Sequence, residues 1–208
     1  MKKYVVYLLI TTLIFSAFSL CLNNNSNFNL KDYSNKFIFY YNNTPIEVPL
    51  RATIGEAKEV KLINTNDKEI YNYYHNTKLI YIRGSLNITP EEGGVSIIDL
   101  ITKLAWLNSF YPHNIIIELK KDRNITAKVI FANGTKKITY FTPMEVYLLT
   151  HNNKTMAIEI YKRDYPAMIV KEGNKFIIMG NSTKELDKAE SRFIIDILVG
   201  DINNVVVS

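Results

Sequence analysis

Met-Lys-Lys is followed by nineteen residues without a charge, YVVYLLITTLIFSAFSLCL (residues 4–22). This run divides the chain before any other feature is weighed. At about 1.5 Å per helical residue it reaches close to the roughly 30 Å of a bilayer core. A positive start before an apolar stretch is an export signal. Two forms stand: cleavage after Ser19, where Ala17 and Ser19 supply the small residues, or an uncleaved anchor with the membrane as partner through residues 4–22. A lipoprotein would need a small residue before Cys21, and Leu20 occupies that place. In both remaining forms the two lysines stay in the cytoplasm and the rest lies outside. The expected localisation is extracytoplasmic, either membrane-anchored or secreted.

Cys21 is the only cysteine, so the portion beyond the leader has no disulfide to staple it. About 185 residues must then hold together by their core, which is long enough for one domain or two small ones. The formal charge is +5, with Lys2 and Lys3 inside the leader. Lys120-Lys121 with Arg123, and Lys136-Lys137, are the densest basic spots, each beside aliphatic strand residues. Such pairs read as solvated strand ends, and no nucleic-acid partner is expected.

Residues 23–35 (NNNSNFNLKDYSN) form an Asn-rich polar tether. Residues 36–208 form the exported domain, with 36–112 and 113–208 as candidate halves. Strand patterns occur at 36–41, 45–52, 57–63 and 78–83, with NNT as the first turn. The polar, tyrosine-bearing stretch at 64–76 reads as a surface turn or short helix. Helical spacing of apolar residues appears at 94–110. Asn133-Gly134 joins two strand patterns within 125–141 and predicts a tight hairpin whose two central residues have positive φ. Thr142, Pro143 and Glu145 spell a capping box that opens a short helix. Strands follow at 155–163, 167–170 and 175–179, then a helix at 183–198 with Leu186, Ala189, Phe193, Ile194 and Ile197 on its buried stripe. The last residues, NNVVVS, read as an edge strand or a frayed end.

Residues 78–97 and 175–194 echo each other: a strand ending in Gly, an Asn-X-Thr or Asn-Ser-Thr, a cap, then a helix containing Ile-Ile-Asp. The expected fold class is α+β, a mainly antiparallel sheet carrying two principal helices, with two related strand–helix halves as one reading.

Seven Asn-X-Ser/Thr triplets are present, where composition alone supplies roughly three. Asn42 is weakened by the proline after its triplet. Asn24, Asn87, Asn124, Asn133, Asn153 and Asn181 remain candidate N-glycosylation sites, most of them at predicted turns. Tyr71, Tyr73 and Tyr74 form a candidate partner-binding platform, while Trp106 among helical apolar neighbours reads as core.

No catalytic constellation emerges. His75, His113 and His151 are far apart and show no His-Glu-X-X-His spacing, so no metal or cofactor is expected. No Gly-X-Ser-X-Gly elbow exists. The segment FIIMGNSTKEL lacks the Gly-Lys-Ser/Thr of a phosphate loop, and Ser182 with Glu185 reads as a capping box. Asp99 lies within an apolar helix and is expected on its exposed face beside Thr102 and Lys103; a hydrolase would need it to converge with Glu91 or Glu92. Asp196 takes the matching place in the last helix.

Residues 165–198, YPAMIVKEGNKFIIMGNSTKELDKAESRFIIDIL, resemble a strand–Gly–Ser/Thr–helix unit of exported and S-layer-related surface proteins of methanogenic archaea. The resemblance implies a cell-surface setting and an archaeal source, and carries no catalytic residue across. The functional expectation is an exported, membrane-tethered surface protein, not an enzyme, with a structural or accessory role and envelope proteins as partners. The alternatives are an extracytoplasmic module that binds a ligand or partner, and a secreted hydrolase.

Overall fold

The computed structural model describes residues 35–84, 94–121 and 123–201 of the chain. The leader, most of the tether, Asn24, Asn87, Glu91, Glu92 and the last seven residues lie outside the described residues. A compact unit begins at Tyr33.

The described residues open with a separate hairpin, β1 (Asn35–Tyr41) and β2 (Thr44–Leu50). Its turn is Asn42-Asn43, with φ of 48° and 60°. Asparagine tolerates this left-handed region better than most side chains, and two such residues in succession match the right-handed twist of the flanking strands. One face of the hairpin carries Phe37, Phe39, Val48 and Leu50 into the core.

Then follow α1 (Ile54–Lys58), β3 (Lys61–Ile63), α2 (Asp67–Asn76) and β4 (Leu79–Gly84). Residues 57–63 were expected as a strand, but the first part is helical. Thr53 and Glu56 form a reciprocal capping box that starts a turn of helix there, and only three residues remain for β3. Residues 64–76 resolve into helix: the Asn66 side chain accepts from the Glu69 N–H at 2.9 Å and caps α2.

Next come α3 (Gly94–Leu107), β5 (Asn114–Lys121), β6 (Ile125–Ile130), β7 (Lys136–Phe141) and α4 (Pro143–Thr150). The chain continues with β8 (Thr155–Lys162), β9 (Met168–Glu172), β10 (Lys175–Gly180) and α5 (Thr183–Val199). The β6–β7 hairpin forms as expected, but its turn differs. Phe131 N–H donates to Thr135 O at 2.9 Å and Gly134 N–H to Phe131 O at 2.8 Å, and only Gly134 has positive φ. The loop is five residues long, so the two-residue geometry belongs to Asn42-Asn43 instead.

Eight strands make one sheet in the order β3-β9-β10-β8-β4-β5-β6-β7. β10, β8, β4 and β5 run parallel in its centre, and β3 is parallel to β9. Only β9–β10, β5–β6 and β6–β7 are antiparallel. This corrects the expected fold class: the domain is α/β with a mixed, mostly parallel sheet and five helices among the described residues, not a mainly antiparallel sheet with two helices. The reason lies in the connections. β4 reaches β5 through α3, and a crossover of this kind delivers the next strand parallel. The isoleucine run at 115–117 and the wholly buried stretch at 155–160 are the near-continuous apolar strands of a sheet covered on both faces.

Along the central strands Ile80, Ile82, Ile115, Ile117, Met156, Ile158, Phe176 and Ile178 face the larger core, shared with α1, α2, α3, α5 and the hairpin. The opposite face is covered only in part. Val146 and Leu149 of α4 close over Tyr81, Ile116, Ile125, Ala127 and Val129.

The two echoing stretches do have like geometry: β4 leads to α3 and β10 to α5, and both helices lie against the same core. A Cβ on Gly180 would lie 2.6 Å from the Leu186 backbone nitrogen, so α5 starts where only glycine fits. Strands from residues 36–112 and 113–208 interleave in one sheet.

Candidate functional site on the open face of the sheet

The face turned away from the larger core becomes polar beyond α4, because alternate residues of four neighbouring strands are charged or phenolic. β4 contributes Tyr81 and Arg83, β5 Glu118, β8 Glu159 and Tyr161, and β10 Lys175. Arg83 and Glu159 are register partners across the β4–β8 ladder.

The Glu118 carboxylate accepts from the Tyr81 hydroxyl at 2.6 Å and from Arg83 Nε at 2.9 Å. Glu159 lies 3.5 Å from both an Arg83 terminal nitrogen and Lys175 Nζ, and accepts from the Tyr161 hydroxyl at 2.9 Å. The Arg163 guanidinium stands 5.2 Å from the Tyr161 ring centre. Burial pushes the Tyr81 phenol far up, and its bond to Glu118 adds to this. The same two causes, burial first and then Glu159, raise Tyr161 to about 12. Burial alone would lower Arg83, but Glu118 outweighs it and the guanidinium is held charged.

The two carboxylates are nearly buried, whereas the Arg83 and Lys175 side chains are 30% exposed. The network therefore presents two cations to the surface above two anions that fix their positions. It also lies at a break in strand order: the chain leaves β4 toward β5 on one side and β8 toward β9 and β10 on the other. In open α/β sheets ligands bind beyond the carboxyl ends of the strands at such a break; Arg83 stands next to the carboxyl end of β4, whereas Lys175 opens β10.

A second polar cluster lies between α3, α5 and the end of β2. Lys103 Nζ contacts Asp99 and lies 3.0 Å from Glu190 Oε1. Nearby, the Asp187 carboxylate accepts from Ser96 Oγ at 2.6 Å and from Arg51 Nε at 2.8 Å. Burial drives Glu190 upward against the pull of Lys103, and raises Asp187 against Ser96 and Arg51. Lys103 is itself raised: burial opposes its charge, but Glu190 and Asp99 outweigh it. Asp99 was expected on an exposed helix face. It is 7% exposed because α5 packs against that side of α3 and delivers Glu190 to the lysine one turn away. Asp196 is fully buried and held by Arg192 Nε at 2.9 Å through both oxygens, with Asp67 on the same guanidinium. These pairs tie helices together rather than opening to a ligand.

The tyrosine platform does not assemble. Tyr74 is fully buried among His113, His75 and Tyr111, and Tyr71 packs on His75 and beneath Gly200. Tyr73 alone reaches a shallow groove, otherwise lined by polar residues such as Asn66, Asn72, Asn76 and Asn153. Helical spacing explains the split, since Tyr74 falls on the same stripe as Ile70. His75 Nε2 lies 3.0 Å from Ile197 O and His113 Nδ1 3.1 Å from Thr77 O. No group of three or more His, Cys, Asp or Glu able to hold a metal occurs among the described residues.

Asn124, Asn133, Asn153 and Asn181 are all exposed. Asn133 already accepts from the Thr135 N–H and hydroxyl of its own triplet, at 3.0 and 2.7 Å. Ser182 caps α5 with a bond from Glu185 N–H at 3.3 Å. The Glu185 side chain turns instead to Ala167 N–H at 2.7 Å, so the expected capping box is only half made. Sequence reasoning missed the Arg83 network entirely. Its signal was the alternation of polar residues within strongly apolar strands, Tyr81 and Arg83 in one and Glu159 and Tyr161 in another.

No helix among the described residues is long and apolar enough to cross a membrane. No protein-family profile matches the chain. No solved structure matches it either. A protein of Methanocaldococcus jannaschii is 57% identical over 203 residues, covering 97% of this chain and 100% of its own length. The chain therefore belongs to the same family as that protein, which is named only "Uncharacterized protein MJ0259".

Proposed function

We propose that the chain is an exported, membrane-tethered protein of the cell envelope with a structural or accessory role. The observation that carries this reading is the order of its parts. An uncharged run at 4–22 follows two lysines, a polar Asn-rich stretch comes next, and the compact unit begins at Tyr33, where that stretch is ending. The likeness of residues 165–198 to surface proteins of methanogens supports the same setting, and the exposed Asn124, Asn133, Asn153 and Asn181 suit glycan attachment there. Alkaline extraction of native membranes tests it. The chain is expected to stay in the pellet, with a mass above that of the bare polypeptide where glycans are attached. Recovery in the cytosolic fraction overturns the reading.

A second reading, an extracytoplasmic ligand-binding module, is favoured by the part-exposed Arg83 and Lys175 at the strand-order break. Small polyanionic ligands would then raise the melting temperature of the wild type, and less so that of Arg83→Gln. Equal responses of the two proteins would end this reading.

A further inference from the structure

α4 is built inside-out for a surface helix. Its sequence, PMEVYLLT, is apolar on every side, and a helix of that kind is normally covered all round. Here Val146 is buried against the sheet, while Met144, Tyr147 and Leu148 on the opposite side are 65%, 55% and 62% exposed. Its one charge, Glu145, is spent on the capping box with Thr142. The adjoining edge strand β7 turns Phe141 toward α4, so its exposed Ile138 and Tyr140 lie on the other face of the sheet and stand outside this patch. Tyr147 between the aliphatic Met144 and Leu148 is the composition of a membrane-interface surface, where an apolar body and a polar tip are both accommodated.

The surrounding charge names the partner. Residues 120–154 hold seven Lys or Arg against two Asp or Glu, an excess of five, equal to the net charge of the whole chain. Lys137 is exposed at the start of β7 and, as the register partner of Val129, stands on the face that carries α4; Arg123 is exposed just before β6 and Lys154 just after α4, so cations flank the apolar patch.

We infer that the β7–α4 edge is a membrane-contact surface that docks on anionic lipid headgroups. The apolar side chains of α4 enter the interface and the lysines meet the headgroup charge. The inference rests on the tethered reading above, which places a bilayer within reach of the domain.

The test uses the full chain carrying Cys21→Ser, reconstituted in phosphatidylglycerol or phosphatidylcholine vesicles, with a fluorophore on Leu148→Cys or, as a control on α2, Lys68→Cys. Acrylamide quenching at position 148 is expected to fall several-fold in phosphatidylglycerol relative to phosphatidylcholine. Position 68 should stay open in both, and Lys137→Glu with Lys154→Glu should restore most of the quenching. Equal quenching at 148 in both lipids overturns the inference. So does protection that appears without lipid and rises with protein concentration, which would assign the patch to a second copy of the chain. Alkaline extraction of the same vesicles separates the two claims. A chain that is retained but quenched at 148 sinks the docking surface alone, and one that is released yet protected at 148 in phosphatidylglycerol sinks the tether alone.

Discussion

Asp196 shows how one residue can carry a pH signature for the whole domain. It has no solvent exposure, and burial raises its carboxyl from the ordinary 3.8 to about 7, against the pull of Arg192. Asp67 and Asp201 push in the same direction as burial. A carboxyl raised in the folded state binds its proton more tightly there than in the unfolded chain. Its contribution to stability is therefore full below about pH 4 and is lost as pH rises through about 7. Within that window the slope reaches at most about 1.4 kcal/mol per pH unit. Asp196→Asn should lower stability overall, because Arg192 loses its two-oxygen partner. It should also flatten the fall between pH 4 and 7. Urea melts of both proteins across that range check this, and parallel slopes would contradict it.

At the element scale, what was legible in the sequence was local. The capping box at Thr142, the helices at 94–110 and 183–198 and the β6–β7 hairpin rest on neighbours in sequence, and each appears within a few residues of expectation. Strand direction was not legible. β5 lies just after α3, and without its isoleucine run at 115–117 counted as a strand the parallel crossover disappears from view. Asp99 failed for a related reason, since its burial is imposed by α5, whose Glu190 reaches the neighbouring Lys103 from far along the chain. The Arg83 network likewise draws on four strands, and only the pairs Tyr81 with Arg83 and Glu159 with Tyr161 are close in sequence. The two strand–helix units also make a paired prediction. A Cβ at Gly180 would meet backbone atoms of Glu185 and Leu186 at 2.6–2.7 Å, whereas at Gly84 it would meet only the Ile97 side chain at 3.0 Å. Gly180→Ala should therefore cost about 1–3 kcal/mol or more, and Gly84→Ala less, because a side chain can yield where a helix start cannot. Thermal melts that rank the two the other way would show that α5 shifts freely on β10.

At the scale of the molecule, one mixed sheet is buried under helices on one face. Its other face is divided between the cover of α4 and a polar network. No disulfide is available beyond residue 21, so this core carries the stability. The polar open face and the apolar outer side of α4 are the two surfaces the core does not need. Both suit the proposed setting of a domain outside the cell beside a membrane. The most direct test is a cysteine introduced at exposed Lys68 in a Cys21→Ser background, treated with a membrane-impermeant maleimide on intact cells. Labelling before lysis is the predicted result, and labelling that appears only after lysis would contradict export.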